Sequence, residues 1–206
     1  MLDSRLHPLV KPLLNGMVAR IDRPGVSPDG LTLIGFAIGV LTLPFLALHW
    51  YPAAVLTIVL NRLFDGLDGA LARRRGLTDA GGFLDITLDF LFYALVPFGF
   101  ILADPLHHGL PGAWLLFAFI GTGSSFLAFA ALAAKHQITC PDYPHKSLFY
   151  LGGLTEGSET ILVFILSALF PPFFPWLAWI FGALCWFTTL TRIAGGYQAL
   201  KQAARR

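Results

Sequence analysis

The chain has 206 residues, of which 56% are hydrophobic and 13% charged, with a formal net charge of +2. Soluble domains carry about 25% charged residues, so this composition excludes an ordinary soluble protein. It indicates one membrane domain, residues 1–206, long enough for about six spans. No nucleic-acid partner is expected. Cys140 and Cys185 lie far apart, one in a polar loop and one in an apolar run, which excludes a disulfide framework and a CxxC metal site. Residues 1–30 are interrupted by Pro8, Pro12, Pro24 and Pro28 and are too polar for a signal core, so no cleavable signal is expected.

In chain order, residues 1–23 mix apolar and basic side chains. Leu6, Leu9, Val10, Leu13, Leu14 and Met17 recur at helical spacing, and Arg5, Lys11, Arg20 and Arg23 suit anionic headgroups. This predicts an amphipathic helix lying on the cytoplasmic membrane surface. Gly25 to Gly30 is a turn and helix start. Six apolar segments follow, at about 31–48, 51–74, 82–103, 112–134, 147–170 and 176–200, separated by Pro105, Pro111 and the Pro171, Pro172, Pro175 cluster. The predicted fold is therefore all-α, with a surface helix and six transmembrane helices. All 14 Lys and Arg fall at the same ends of these segments, and none lies near 49–51, 104–111 or 171–175. The positive-inside rule then places both termini in the cytoplasm.

One stretch, Asn61 to Asp89, carries four carboxylates inside this apolar chain. Charge at membrane depth is costly and marks function. Asp65 and Asp68 are spaced i, i+3, and Asp85 and Asp89 i, i+4, so each pair shares a helix face. At 1.5 Å per residue from the non-cytoplasmic ends, Asp65 and Asp89 both come out roughly 21 Å deep. Asp68 and Asp85 come out at about 25 and 27 Å on the same rise. Antiparallel helices would thus face the two pairs across a four-carboxylate cage, an oxygen-rich setting suited to hard divalent cations.

Asp65-Gly66-Leu67-Asp68-Gly69-Ala70-Leu71-Ala72-Arg73, followed by Gly81, Asp85 and Asp89, resembles the signature of the CDP-alcohol phosphatidyltransferases, integral-membrane enzymes of phospholipid synthesis. The loop from Arg74 to Ala80 is one residue shorter than the family's usual spacing. The resemblance implies a small bacterial inner-membrane phosphotransferase. Its donor would be CDP-diacylglycerol or another CDP-alcohol, its acceptor an alcohol, and its leaving group CMP. It also implies metal ligation by Asp65, Asp68 and Asp85, with Asp89 as general base and further metal ligand, and a homodimer in the membrane lipid. Four aspartates repel a diphosphate unless two divalent ions, Mg2+ or Mn2+, stand between them. Gly66, Gly69 and Gly81 would let the nucleotide and diphosphate approach the backbone, and Arg73 would grip phosphate with its planar fork.

The acceptor pocket is expected near Glu156, Glu159, Arg192 and Lys146. Two buried glutamates suit hydroxyls or an amine, whereas Arg192 with Lys146 suits a phosphorylated acceptor. A third reading pairs a glutamate with Arg192 as a bundle contact. Arg74 and Arg75 read as topology anchors. Thr32, Gly35, Gly39 and the run from Gly121 to Ser125 read as close-packing surfaces. His107 and His108 read as solvated loop residues, and Phe173, Phe174, Trp176 and Trp179 as an interfacial belt. Three other classes compete. An aromatic prenyltransferase also holds magnesium with aspartates, but normally has more spans. A transporter would show repeats and broken helices. A non-catalytic scaffold gives no reason for four aspartates in lipid.

Overall fold

A computed structural model describes the backbone of residues 2–136 and 154–203, with side chains from residue 11 onward. Lys146, His145, Cys140 and the first part of the expected fifth segment lie outside the described residues. Among the described residues the architecture is all-α: α1 (Leu2–Ile21), α2 (Pro28–Val40), α3 (Thr42–Ala47), α4 (Tyr51–Arg75), α5 (Asp79–Ala103), α6 (Pro105–Lys135), α7 (Gly157–Leu169) and α8 (Phe174–Ala203), the last preceded by a 3-10 turn at Pro171–Phe173.

Local chemistry sets the boundaries. Ser27 caps α2, its Oγ accepting from the Gly30 N–H at 3.0 Å, and Pro28 takes the first helical position. The expected first segment breaks after Val40 because Pro44 has no N–H for the Val40 carbonyl and its ring crowds that oxygen. Thr78 caps α5 by accepting from the Gly81 N–H at 3.1 Å. Asp104 caps α6, accepting from the His107 N–H at 3.1 Å and pairing with His107 Nδ1 at 2.8 Å. Those contacts, led by the backbone N–H, hold the Asp104 carboxyl below its ordinary value. This cap starts α6 seven residues before the expected Gly112, and Pro111 lies inside the helix rather than at a break. Pro111 is buried beside Gly112, whose missing side chain admits Ile101 to within 2.5 Å of a would-be Cβ.

Among the described residues, four helical stretches are long and apolar enough to cross a membrane: Pro28–Ala47, Asp79–Ala103, Pro105–Lys135 and Pro171–Ala203. Their outward faces carry large exposed apolar side chains such as Leu33, Phe98, Ile120, Ile180 and Phe187. The other two expected spans differ for separate reasons. α4 has 25 residues, but Arg62, Asp65, Asp68 and three terminal arginines dilute its apolar character. α7 has 13 residues, about 20 Å of rise against a hydrocarbon core of about 30 Å. Its start at Gly157 follows from a reciprocal capping box between Glu156 and Glu159.

The main core is aromatic. Phe92, Phe100, Phe164 and Phe174 are essentially solvent-free and join α5, α7 and α8. Two expectations, a solvated His108 and an interfacial Phe174, are corrected here. His108 is buried, its Nδ1 is 3.1 Å from the Phe100 carbonyl, and its ring meets Phe100 and Phe174 edge-on. Phe174 stacks on Phe100 at 4.1 Å instead of joining the interfacial belt. α6 runs on through this region as helix, which turns His108 inward while His107 stays exposed. A second, smaller core seats α1 on α4: Val18 is fully buried against Leu31, Leu67, Ala70 and Leu71. Arg75 locks the connection through Asp22 and the carbonyls of Arg23 and Val26.

Candidate active site

α4 and α5 bring the four aspartates together. One oxygen from each of Asp65, Asp68 and Asp85 lies within 4.8 Å of the others. All four aspartates line a narrow cleft with room of about 10 Å³, one ion or water. Asp68 is only 5% exposed, and the Thr32 hydroxyl from α2 reaches its Oδ2 at 2.6 Å. Thr32 therefore holds a carboxylate, rather than serving only as packing surface. Gly35 and Gly39 do serve packing: a Cβ would fall 2.7 Å from Phe64 Cβ at the first and 2.8 Å from Asn61 Nδ2 at the second.

Asp89 stands apart from the three-oxygen group. Its Oδ1 accepts from Arg62 Nη2 at 2.6 Å, and Arg62 Nη1 lies 3.5 Å from Asp65 Oδ2. Asn61 Oδ1 fixes the same guanidinium from Nε and Nη2 at 2.9 and 2.6 Å, while Asn61 Nδ2 donates to the Gly35 carbonyl at 2.9 Å. The guanidinium also lies over the rings of Phe92 and Tyr93, at 5.1 and 5.7 Å. Neither this role nor that of Thr32 was legible beforehand. The available signal for Arg62 was its i, i+3 spacing to Asp65, which puts both on one face. Four carboxylates against one guanidinium leave the cleft strongly anionic, and its donors are all oxygen. Asp65, Asp68 and Asp85 thus fit a hard divalent cation.

Two chambers meet at this cleft. The first, about 570 Å³, is lined by Asp68, Asp85, Thr32, Asp29, Gly69, Arg73, Thr78 and Gly81. The second, about 620 Å³, is lined by Asp65, Asp89, Arg62, Tyr93, Thr122, Thr155, Glu156, Ser158, Thr160, Cys185 and Arg192. Ile86 and Phe126 belong to both walls. Arg192 donates to the Thr122 carbonyl at 3.3 Å and lies 5.7 Å from the Phe126 ring centre. The Thr155 N–H and hydroxyl reach Thr188 Oγ1 at 3.2 and 3.0 Å, which fixes the chain entering α7.

The expected residues thus separate. Gly69, Arg73 and Gly81 share the first chamber; Glu156 and Arg192 share the second. Gly66 lies on another face of α4, where its lack of a side chain admits Leu14 of α1 to 3.1 Å of a would-be Cβ. Glu159 is outside both linings, its Oε2 accepting from the Glu156 N–H at 3.1 Å.

Residues 26–191 match the model of the CDP-alcohol phosphatidyltransferase family. The chain is 72% identical over its whole length to the inner membrane protein YnjF of Escherichia coli, which it covers fully. It is 29% identical to an archaetidylinositol phosphate synthase of Pyrococcus horikoshii, over 81% of this chain and 82% of the other. It is 30% identical to a phosphatidylinositol phosphate synthase of Mycobacteroides abscessus, over 77% and 69%. In fold it resembles crystal structures of the Mycobacterium tuberculosis phosphatidylinositol phosphate synthase at 22% identity. With CDP-DAG bound the TM-score is 0.68, covering 90% of this chain and 94% of that one. With manganese and citrate it is 0.67, covering 89% and 88%.

Proposed function

The chain belongs to the CDP-alcohol phosphatidyltransferase family and is a membrane transferase of that class; from this premise we propose that it moves a phosphatidyl group from CDP-diacylglycerol to a small polar alcohol. The observation that carries this reading is the division of the four aspartates between two chambers that meet at one cleft. Phosphoryl transfer needs donor and nucleophile on opposite sides of the transferred phosphorus, roughly in line. Two chambers joined at a cation site provide that arrangement.

In this reading the cytidine diphosphate end occupies the first chamber. Arg73 holds phosphate oxygens with its fork of donors. Gly69 and Gly81 keep the wall low, and Thr32 fixes the orientation of Asp68. The acceptor hydroxyl enters the second chamber, where the Asp89 carboxylate takes its proton. The acceptor oxygen bonds to the phosphorus, the bond from that phosphorus to the CMP oxygen breaks, and CMP leaves with the electron pair. Magnesium or manganese ions, held by Asp65, Asp68 and Asp85, would neutralise the diphosphate and the charge that develops on the leaving oxygen. Glu156 and Arg192 line the acceptor's side, and the names of two relatives put a phosphate-bearing polyol first on the panel of acceptors.

The same reading completes six spans with α4 and α7 and lays α1 on the cytoplasmic surface of a bacterial inner membrane. The inner-membrane relative and the one-sided distribution of Lys and Arg support it. The test is incubation of purified protein with CDP-diacylglycerol, Mn2+ and a panel of alcohols and polyol phosphates. Acceptor-dependent CMP release with formation of a new phospholipid supports the proposal. No release with any acceptor, from protein that still binds the donor, refutes it.

A further inference from the structure

We propose that Ile86 and Phe126 form an apolar divider that selects the nucleophile reaching the donor, admitting the alcohol and excluding water. The inference rests on the transfer reading above. Among the described residues these two alone line both chambers. The chambers, at about 570 and 620 Å³, have room for many waters, whereas the cleft where they meet has room for about one. That cleft is walled by Asp65, Asp68, Asp85, Asp89, Arg62 and Asn61, all of which attract water. The boundary between the chambers is, by contrast, hydrocarbon. Ile86 follows Asp85 and stands one turn before Phe90 on α5, while Phe126 lies three positions after Gly123 on α6, so each pair shares a helix face. The two faces are pressed together, since a Cβ on Gly123 would fall 2.9 Å from the Phe90 ring. Arg192 holds the outer edge: its guanidinium lies 5.7 Å from the Phe126 ring centre and donates to the Thr122 carbonyl, one turn earlier on α6, at 3.3 Å.

A phosphatidyl donor with CMP as leaving group is open to any oxygen nucleophile that reaches its phosphorus in line. Water in that position gives hydrolysis. Its oxygen bonds to the phosphorus that carries the diacylglycerol, the bond to the CMP oxygen breaks, and CMP leaves with the electron pair. One water proton passes to Asp89, and the other stays on the phosphatidic acid formed. An active site prevents this by keeping water from the reacting centre. Side chains without hydrogen-bonding atoms do so here, because a water lodged against them forfeits bonds that it has in bulk. An alcohol held in the second chamber presents its hydroxyl through its own polar contacts, so the divider obstructs only the unbound nucleophile. Helix packing alone accounts for a loss of stability when either side chain is truncated. It does not account for a gain of hydrolysis.

The experiment uses the full-length protein in detergent, incubated with CDP-diacylglycerol and Mn2+ in water enriched in heavy oxygen, without any alcohol. Labelled phosphatidic acid is measured. Phe126→Ala should form it about tenfold faster than wild type or more, the low end of what one methylene of pocket shape contributes to discrimination. The heavy oxygen should appear in the phosphatidic acid and not in CMP. Ile86→Ala should do the same, and Phe126→Leu, which keeps hydrocarbon in part of the ring's place, should fall between. Leu127→Ala, on the same helix but outside both chambers and 43% exposed, should hydrolyse the donor no faster than wild type. With an alcohol from the panel present, the ratio of phosphatidic acid to new phospholipid should rise in the same order. Hydrolysis at the wild-type rate by a folded Phe126→Ala overturns the inference. If that variant does not fold, hydrolysis at the wild-type rate by Ile86→Ala overturns it. No transfer by the wild type to any alcohol would refute the transfer reading, and the hydrolysis measurement would still decide the divider.

Discussion

Thr32→Val tests whether a residue from α2 governs the cation site on α4 and α5. The substitution keeps the side chain's shape and removes only the hydroxyl, which reaches Asp68 Oδ2 at 2.6 Å. That length belongs to charge-assisted O–H···O⁻ bonds, for which about 2.5–2.7 Å is usual. Such bonds to a charged partner contribute about 1.5–3 kcal/mol. If the whole of that energy serves to orient Asp68, the divalent-ion affinity should fall about 10- to 150-fold, at about 1.4 kcal/mol per factor of ten. The hydroxyl also lies 3.1 Å from the Pro28 carbonyl, so part of the loss should appear as a lower melting temperature. The assay is CMP release as a function of Mn2+ concentration, beside thermal unfolding in the same detergent. Thr32→Ser, which retains the hydroxyl, should restore most of the Mn2+ dependence. An unchanged Mn2+ activation curve in Thr32→Val would mean that the bond does not position Asp68, and the argument would fail.

The remaining predictions concern the metal, the base and the topology. EDTA, or Asp68→Asn, should abolish CMP release while the protein stays monodisperse; normal turnover in either case would refute cation-dependent transfer. Asp89→Asn should still bind CDP-diacylglycerol with Mn2+, measured calorimetrically, but lose roughly 10²–10⁴-fold in single-turnover transfer. A loss of donor binding as complete as in Asp68→Asn would make Asp89 chiefly a ligand. Glu156→Gln should raise the acceptor's KM with little change for the donor, and an unchanged acceptor KM would place the acceptor elsewhere. For topology, His107→Cys and Leu77→Cys in a background lacking Cys140 and Cys185 offer exposed labelling sites, with side-chain exposure of 77% at His107 and residue exposure of 56% at Leu77. An impermeant thiol reagent on intact cells should label the first and spare the second; the reverse pattern would invert the orientation.

Several features of this chain are local, and the sequence alone determined them. Apolar length, Pro and Gly punctuation and the capping residues delimit most helices, because helix formation and termination depend on neighbours within four positions. The i, i+3 and i, i+4 spacings put each aspartate pair on one face by the helical repeat itself. The one-sided placement of Lys and Arg is likewise a property of the string. Tertiary structure decided which of several compatible partners each polar group found. Thr32 is 36 positions from Asp68, and Arg62 is 27 from Asp89, so no periodicity relates either pair. His108 is drawn inward by an edge-on contact with Phe174, contributed by a distant helix. Gly66 faces Leu14 because α1 folds back across α4, while Gly69, one turn on, lines the first chamber. Asp89 is the same residue type as the other three, yet its Oδ1 accepts from Arg62, which is bonded in turn to Asn61. Residue type and spacing specify what a side chain can bond; packing of non-adjacent helices selects among those bonds by deciding which partners lie within about 3 Å once water is excluded.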